Sequence, residues 1–354
     1  MRILFASTPG AGHVGPLLPF ARAARAAGHE VLLAAAGPAA QRTGLPVLTL
    51  PEAPGRARAW APVFTADAPG VVHVVQELFI GLDAAAALPG MLAAVEAFAP
   101  DVIVRETCEF ASAVAAERFG VPVVQVGVHL DTATDTSEAL LAVAEPAVRS
   151  LGLRDPARLL ESPVLTLVPP SLSAPSPRLR HFRTAVPPPR ERDLVYVSLG
   201  SETPRTPHFP RLYRAVIDAL STVDLEVLVA LGRDPDDLGP VPANVRVARW
   251  VDQATTLSRA AVAVGHGGSG TTLGALAAGV PLALLPLFVD GPDNARRVAA
   301  AGAGLVVPDV AELANAMRRL LEDPRPRAAA DAIAREIAAL PPASAWWIGS
   351  PAAA

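Results

Sequence analysis

Two histidines in this sequence sit among glycines, and each is placed for a different kind of chemistry. His13 lies in GAGHVG (10–15), directly after the strand-like run RILFAS, and His266 lies in GHGGSGTT (265–272), directly after AVAV. A histidine near a helix start feels the positive end of the helix dipole, which favours neutral imidazole, the state a general base needs. Glycines let the backbone approach a ligand, and the free N–H groups at a helix start make an anion site. The first stretch therefore reads as a proton-accepting site and the second as a phosphate site. The bland alternatives are a loop histidine without chemistry and a plain strand-to-helix turn.

The first stretch also satisfies the dinucleotide-binding pattern Gly10-x-Gly12-x-x-Gly15. That fingerprint needs an acidic residue about 20 positions on to hold the ribose hydroxyls. HEVLLAAAGPAA offers only alanine and glycine there, so a nicotinamide or flavin cofactor is not expected.

Bulk properties narrow the setting in which these histidines work. A chain of 354 residues exceeds one core, and at 51% hydrophobic it can bury two. A net charge of -4 and a pI near 6.0 supply no basic surface for a phosphodiester backbone, so no nucleic acid partner is expected. All 30 basic residues are arginine, which excludes a Walker-A lysine, a Schiff base and a pyridoxal phosphate anchor. Cys108 stands alone and reads as a small buried hydrophobe, outside any disulfide or multi-cysteine zinc site. No signal peptide is read at the N-terminus, and GVPLALLPLFV is too short and proline-broken to span a bilayer. A cytoplasmic protein without membrane insertion is the expectation.

The elements that must position the histidines alternate along the chain. RILFAS, a helix through PLLPFARAARAAG and the strand HEVLLAAAG form a βαβ unit, and DVIVRE, FASAVAAERFG and VPVVQVGV continue it. Residues 169–193, rich in proline, serine and arginine, read as a linker. The pattern then restarts with LVYVSLGS and runs through LEVLVALG, VRVARWV, AVAVGH and VPLALLPLF. The expected fold class is α/β, with two doubly wound parallel sheets: an N-terminal domain over 1–168, the linker, a C-terminal domain over 194–340, and an irregular tail over 341–354. Ligands are expected at the carboxyl ends of the strands, between the two halves.

WVDQ (250–253), HGGSGTT (266–272), GVPLALLPLFVDG (279–291) and NARRV (294–298) resemble the donor-site signature of bacterial family 1 glycosyltransferases with the GT-B fold. In order and spacing they are similar to the enzymes that attach deoxysugars to antibiotic aglycones. PGAGHVGPLLPFARA resembles the opening of the same family, so the likeness covers nearly the whole chain. It implies two Rossmann-like domains facing across a cleft, the first binding an acceptor and the second a nucleotide diphosphate sugar.

The resemblance also implies roles. Trp250 would stack on the nucleobase, with backbone at Val251 reading its edge. His266, Gly268, Ser269, Gly270 and Thr271 would hold the diphosphate, approached from the first loop by Gly200 and Ser201, and Asp290 would bind the sugar. His13 would take the acceptor proton, assisted by an acid at Glu106, where relatives commonly have aspartate. Glu109 is the second candidate for that acid. Trp60, Phe64, Phe79 and His129 are the acceptor-side candidates, with ordinary core as the alternative for the aromatics. Two departures from the family pattern, Gly274 for a ribose-binding glutamate and Gly291 for the glutamine of an Asp-Gln pair, suit a dTDP-linked, less hydroxylated donor.

The expected reaction is inverting transfer without cofactor or metal. The Asp-x-Asp spacing in DPDD (234–237) reads as a polar loop. The partners are the donor and an aglycone, and a homodimer is left open. The alternatives are a nucleotide-sugar epimerase on the same fold and a non-catalytic nucleotide-sugar-binding helper. His13 favours the enzyme, because a binder needs no base.

Overall fold

The computed structural model describes residues 1–65, 68–188 and 191–347. The chain divides into two compact units.

The first unit is built on a seven-stranded parallel sheet in the order β3-β2-β1-β4-β5-β6-β7. Its strands are β1 (Arg2–Ser7), β2 (Glu30–Ala35), β3 (Val47–Thr49), β4 (Val102–Glu106), β5 (Val123–Val126), β6 (Val164–Thr166) and β7 (Leu179–His181). A parallel sheet is covered on both faces, so its central strands read as continuous apolar runs. That is why Ile3, Leu4, Phe5 and Ala6 are all buried. The helix Ala11–Ala26 turns Val14, Leu17, Phe20, Ala21 and Ala24 onto this sheet. Each fully buried leucine or phenylalanine contributes about 1.5–3 kcal/mol.

The second unit carries a six-stranded parallel sheet, β10-β9-β8-β11-β12-β13. Its strands are β8 (Leu194–Ser198), β9 (Glu226–Ala230), β10 (Val245–Ala248), β11 (Ala260–Gly265), β12 (Leu282–Leu284) and β13 (Gly304–Val306). In each sheet the order reverses beside the first strand of the unit, between β1 and β4 and between β8 and β11. Such switch points leave a crevice at the carboxyl ends of the strands. His13 follows β1 and Glu106 ends β4, while Gly200 follows β8 and His266 follows β11.

Several expectations change. The stretch expected as a linker from residue 169 contains β7, and the first unit runs on to Thr184. The tail expected to be irregular packs on the first unit as far as Trp347. Arg183 bonds through its N–H to Pro341 O and through Nε to Leu340 O, and Trp346 lies buried, edge-on to Phe5 at 6.5 Å. The remaining tail residues, 348–354, lie outside the described residues, as do Pro189 and Arg190 of the expected linker.

Among the described residues one helical run, Val71–Phe98, has the length and mean hydropathy (1.9) to cross a membrane. The sequence reading considered only GVPLALLPLFV. In this fold Val75, Leu78, Ile80, Met91 and Val95 of the run enter the core of the first unit. Its first part, Val74–Ala84, is a π-helix packed on the helix Glu138–Leu151.

Candidate active site

In the first unit, the helix after β1 starts at Ala11, earlier than the position of Pro16 suggests, so His13 stands in its first turn and not in the preceding loop. Gly10 precedes it with φ of 125°, a conformation that favours glycine. Gly12 and Gly15 have open space where a side chain would be, so the packing does not demand the rest of the dinucleotide pattern. His13 Nδ1 lies 3.3 Å from Glu106 Oε1, with the imidazole 24% exposed and the carboxylate fully buried. Such contacts are often long before substrate binds.

A buried carboxylate must be paired and hydrogen-bonded. Glu106 Oε1 accepts from Thr8 N at 3.1 Å and Thr8 Oγ1 at 2.8 Å, and Oε2 accepts from Cys108 N at 2.7 Å. Burial pushes the Glu106 carboxyl up, but the His13 charge and these donors outweigh it and hold the pKa at about 2. Glu109, the other candidate acid, accepts instead from Ser112 N and Oγ, and burial raises its pKa. The geometry therefore pairs His13 with Glu106.

Fully buried Arg105 fixes the turn that follows, donating to Thr107 O, Glu109 O and Gln125 Oε1. Sequence reasoning missed Thr8, Arg105 and the Cys108 backbone. An arginine inside the apolar strand VIVRE was the available signal.

Of the acceptor-side candidates, two gather at His13. Phe79 meets the imidazole edge-on at 5.4 Å, and Trp60 meets Phe79 at 4.8 Å. The guanidinium of Arg56 lies over Trp60 and forms a two-pronged pair with Asp83. Phe64 falls with the second unit, its ring edge-on to Phe288 at 5.1 Å. His129 binds Asp135 Oδ1 through Nδ1 at 2.7 Å.

In the second unit, the helix Ser269–Ala277 begins directly after the glycine loop with no side chain capping it, and the positive end of its dipole is where an anion would bind. The imidazole of His266 fills the space beside two glycines. A Cβ at Gly268 would lie 2.5 Å from its Nε2, and one at Gly200, where φ is 89°, would lie 2.6 Å from its Cε1. Glycine is thus required at both places by the histidine, before any ligand is considered. Burial lowers the pKa of His266, against the pull of the Asp290 charge. The ring is therefore neutral at pH 7 and can offer a phosphate a hydrogen bond, not a full charge.

Ser269 Oγ donates to Asp290 Oδ2 at 2.8 Å, and Asn294 Nδ2 donates to that same oxygen and to Gly267 O, each at 2.7 Å. This binds the expected phosphate and sugar residues into one unit through Asn294. Its separations of 27 residues from Gly267 and 25 from Ser269 hid that role. Gly270 and Thr271 follow Ser269 in the first turn of the helix, and Ser201 follows Gly200 after β8. Trp250 is 51% exposed, so it is not core, and Val251 beside it is half-buried.

Residues 214–345 match the family described as Erythromycin biosynthesis protein CIII-like, C-terminal domain. Over 96% of this chain and 95% of its own length, L-demethylnoviosyl transferase of Streptomyces niveus is 32% identical. Elloramycin glycosyltransferase ElmGT of Streptomyces olivaceus is 34% identical over 96% of this chain and 94% of its own. The chain belongs to the antibiotic-biosynthesis glycosyltransferases. Its fold is similar to that of the spinosyn rhamnosyltransferase SpnG complexed with thymidine diphosphate, with a TM-score of 0.78 and 26% identity over 98% of both chains.

Glycosyltransferase membership replaces the epimerase and helper readings. Within this glycosyltransferase two of the three DPDD carboxylates are engaged locally: Asp234 accepts from Asp236 N, and Asp237 pairs with Arg233 at 2.6 Å. One nitrogen of His13, one oxygen of Glu106 and the Cys108 sulfur lie within 4.8 Å of one another, a spacing that a metal ion could share. Glu106 already accepts three hydrogen bonds there, and burial pushes the Cys108 thiol up to about 11, so the donor set suits proton handling better.

Proposed function

We propose that this glycosyltransferase moves a deoxysugar from a dTDP-linked donor to a hydroxyl, or an activated aromatic carbon, of a natural-product aglycone, with inversion and without a metal ion or cofactor, in the cytoplasm. The observation that carries the reading is the 3.3 Å pair of His13 and Glu106 at the β1/β4 switch point. With Nδ1 facing Glu106, His13 Nε2 takes the acceptor proton and Glu106 stabilises the imidazolium that forms. The acceptor oxygen attacks the anomeric carbon opposite the leaving diphosphate. The N-terminal end of the helix Ser269–Ala277, with the dipole of that helix, receives the departing charge.

Support for dTDP comes from Gly274, which offers no carboxylate to a ribose 2′-hydroxyl, and from the thymidine diphosphate held by SpnG. Calorimetric titration with dTDP and with UDP tests the donor, and His13→Ala tests the base. The variant should bind dTDP like the parent and transfer no sugar. Turnover in His13→Ala would refute the mechanism, and absence of binding to either nucleotide would refute the donor site.

A further inference from the structure

The first unit contains a second histidine–carboxylate pair built like the first. Asp135 is buried, as Glu106 is. Each carboxylate takes a threonine hydroxyl, Thr8 Oγ1 on Glu106 at 2.8 Å and Thr107 Oγ1 on Asp135 at 2.6 Å. Each takes a backbone N–H, Cys108 N at 2.7 Å and His129 N at 3.3 Å. Each faces the Nδ1 of one histidine, and the two imidazoles are similarly exposed, 24% for His13 and 22% for His129. The second pair has its own backbone accommodation: a Cβ at Gly127 would stand 2.6 Å from Asp135 Oδ2, so the residue after β5 must be glycine for the carboxylate to fit.

The pairs sit at the carboxyl ends of neighbouring strands, since Glu106 of β4 is in register with Val126 of β5. The Cys108 thiol joins them. It lies within 4.8 Å of a His13 nitrogen and within hydrogen-bonding reach of His129. A thiol is a weak partner, so an oxygen atom can take its place beside His129 at little cost.

We propose that His129, oriented by Asp135, binds a second oxygen of the acceptor, an ionised or carbonyl oxygen adjacent to the hydroxyl whose proton goes to His13. The inference rests on the first unit being the acceptor site of the proposed reaction. The Cys108 thiol stands between the two imidazoles, so two oxygens on neighbouring carbons, about 2.7 Å apart, brought to this place would each find one ring. Burial disfavours the His129 cation, but the Asp135 charge outweighs it and holds the pKa well above the usual histidine range. Cys108 and Asp135 are the titratable groups that face it. A cationic ring donates to an oxygen and accepts no proton, so the pairs divide the work.

The test uses alizarin and 2-hydroxyanthraquinone, which share a ring system and differ by one oxygen. Each is titrated by fluorescence into the full-length protein saturated with dTDP. The parent should bind alizarin about tenfold more tightly or better, as expected for a hydrogen bond to a charged group. In His129→Gln that preference should vanish while 2-hydroxyanthraquinone binds as before. Equal affinity of the parent for both probes, including no binding of either, overturns the inference. So does a preference that persists in His129→Gln. Should that variant misfold by near-UV circular dichroism, Asp135→Asn is titrated in its place, with the same expected loss. Failure of dTDP to bind would instead refute the donor reading, and the probe comparison would then be run without it.

Discussion

Gly291 and His266 touch backbone to backbone: a Cβ at 291 would lie 2.7 Å from the His266 carbonyl oxygen. The contact is mutual along the loop, because a Cβ at Gly267 would lie 2.5 Å from the Gly291 carbonyl. Neither backbone is a flexible side-chain end that could swing aside. The missing glutamine of the Asp-Gln pair is therefore tied to how these two loops pack. Gly291→Gln should not restore a sugar contact. It should lower dTDP affinity about tenfold through an overpacking strain of about 1–3 kcal/mol. Calorimetry checks this, and unchanged affinity would show that the loops can separate.

Glu106 should support the fold in a defined acid window. Its folded pKa is about 2, against 4.5 for an unperturbed carboxyl. The group thus contributes stability that is complete above the unfolded value and is lost as pH falls toward the folded one, up to about 3 kcal/mol. Urea denaturation of the parent and Glu106→Gln between about pH 6 and about pH 3 should show a stability gap that narrows on acidification. A constant gap would mean that the charge of Glu106 contributes nothing.

The second pair has the opposite sign. His129 is held charged by Asp135, so its contribution is present below the unfolded histidine pKa and is lost as pH rises through the elevated folded value. Asp135→Asn should be destabilised relative to the parent in mildly acidic buffer, and the two should converge in alkaline buffer. Thermal unfolding across that range reads it directly, and a gap that widens with pH would contradict the assignment.

Asn294 is fully buried and its amide joins Gly267, Ser269 and Asp290. Asn294→Ala leaves those acceptors short of a donor, at about 1–3 kcal/mol for a buried polar group left unpaired. Donor binding should weaken with stability, because the same residues form the proposed phosphate loop. A variant with parental dTDP affinity would separate the loop from its support.

Removing Trp346 should cost the first unit about 3–5 kcal/mol, as large aromatic truncations in a core do. The ring is buried on Phe5, a residue of the central strand β1. Chemical denaturation of Trp346→Ala checks the figure. A loss below about 1 kcal/mol would place the ring outside the cooperative core.

Much of this was legible in the residues because apolar runs and glycine loops are local signals. RILFAS, DVIVRE, LVYVS and AVAVG announced the four strands at the switch points, and HGGSGTT announced the helix that starts at Ser269. Partnerships across long separations were not legible. Thr8 and Glu106 are 98 residues apart, and only the β1/β4 pairing brings them together. The glycines illustrate a subtler limit. Gly200 and Gly268 read as places where a ligand approaches, yet each is already required by the imidazole of His266. The tail escaped detection because a single turn with two tryptophans has no period, and its rings pack on Phe5 and His29, far away in the sequence.

Because Leu340–Trp347 complete the core that begins at β1, the first unit is discontinuous, whereas residues 185–339 of the second follow one another along the chain. During synthesis the usual order, in which the N-terminal domain matures first, is reversed. In the sheet that carries His13, the place of Trp346 on Phe5 stays unfilled until the ribosome has made the second unit. The second unit can fold in the meantime, so a chain cut short before residue 340 has a complete second unit and a first unit without the Trp346 that packs on Phe5.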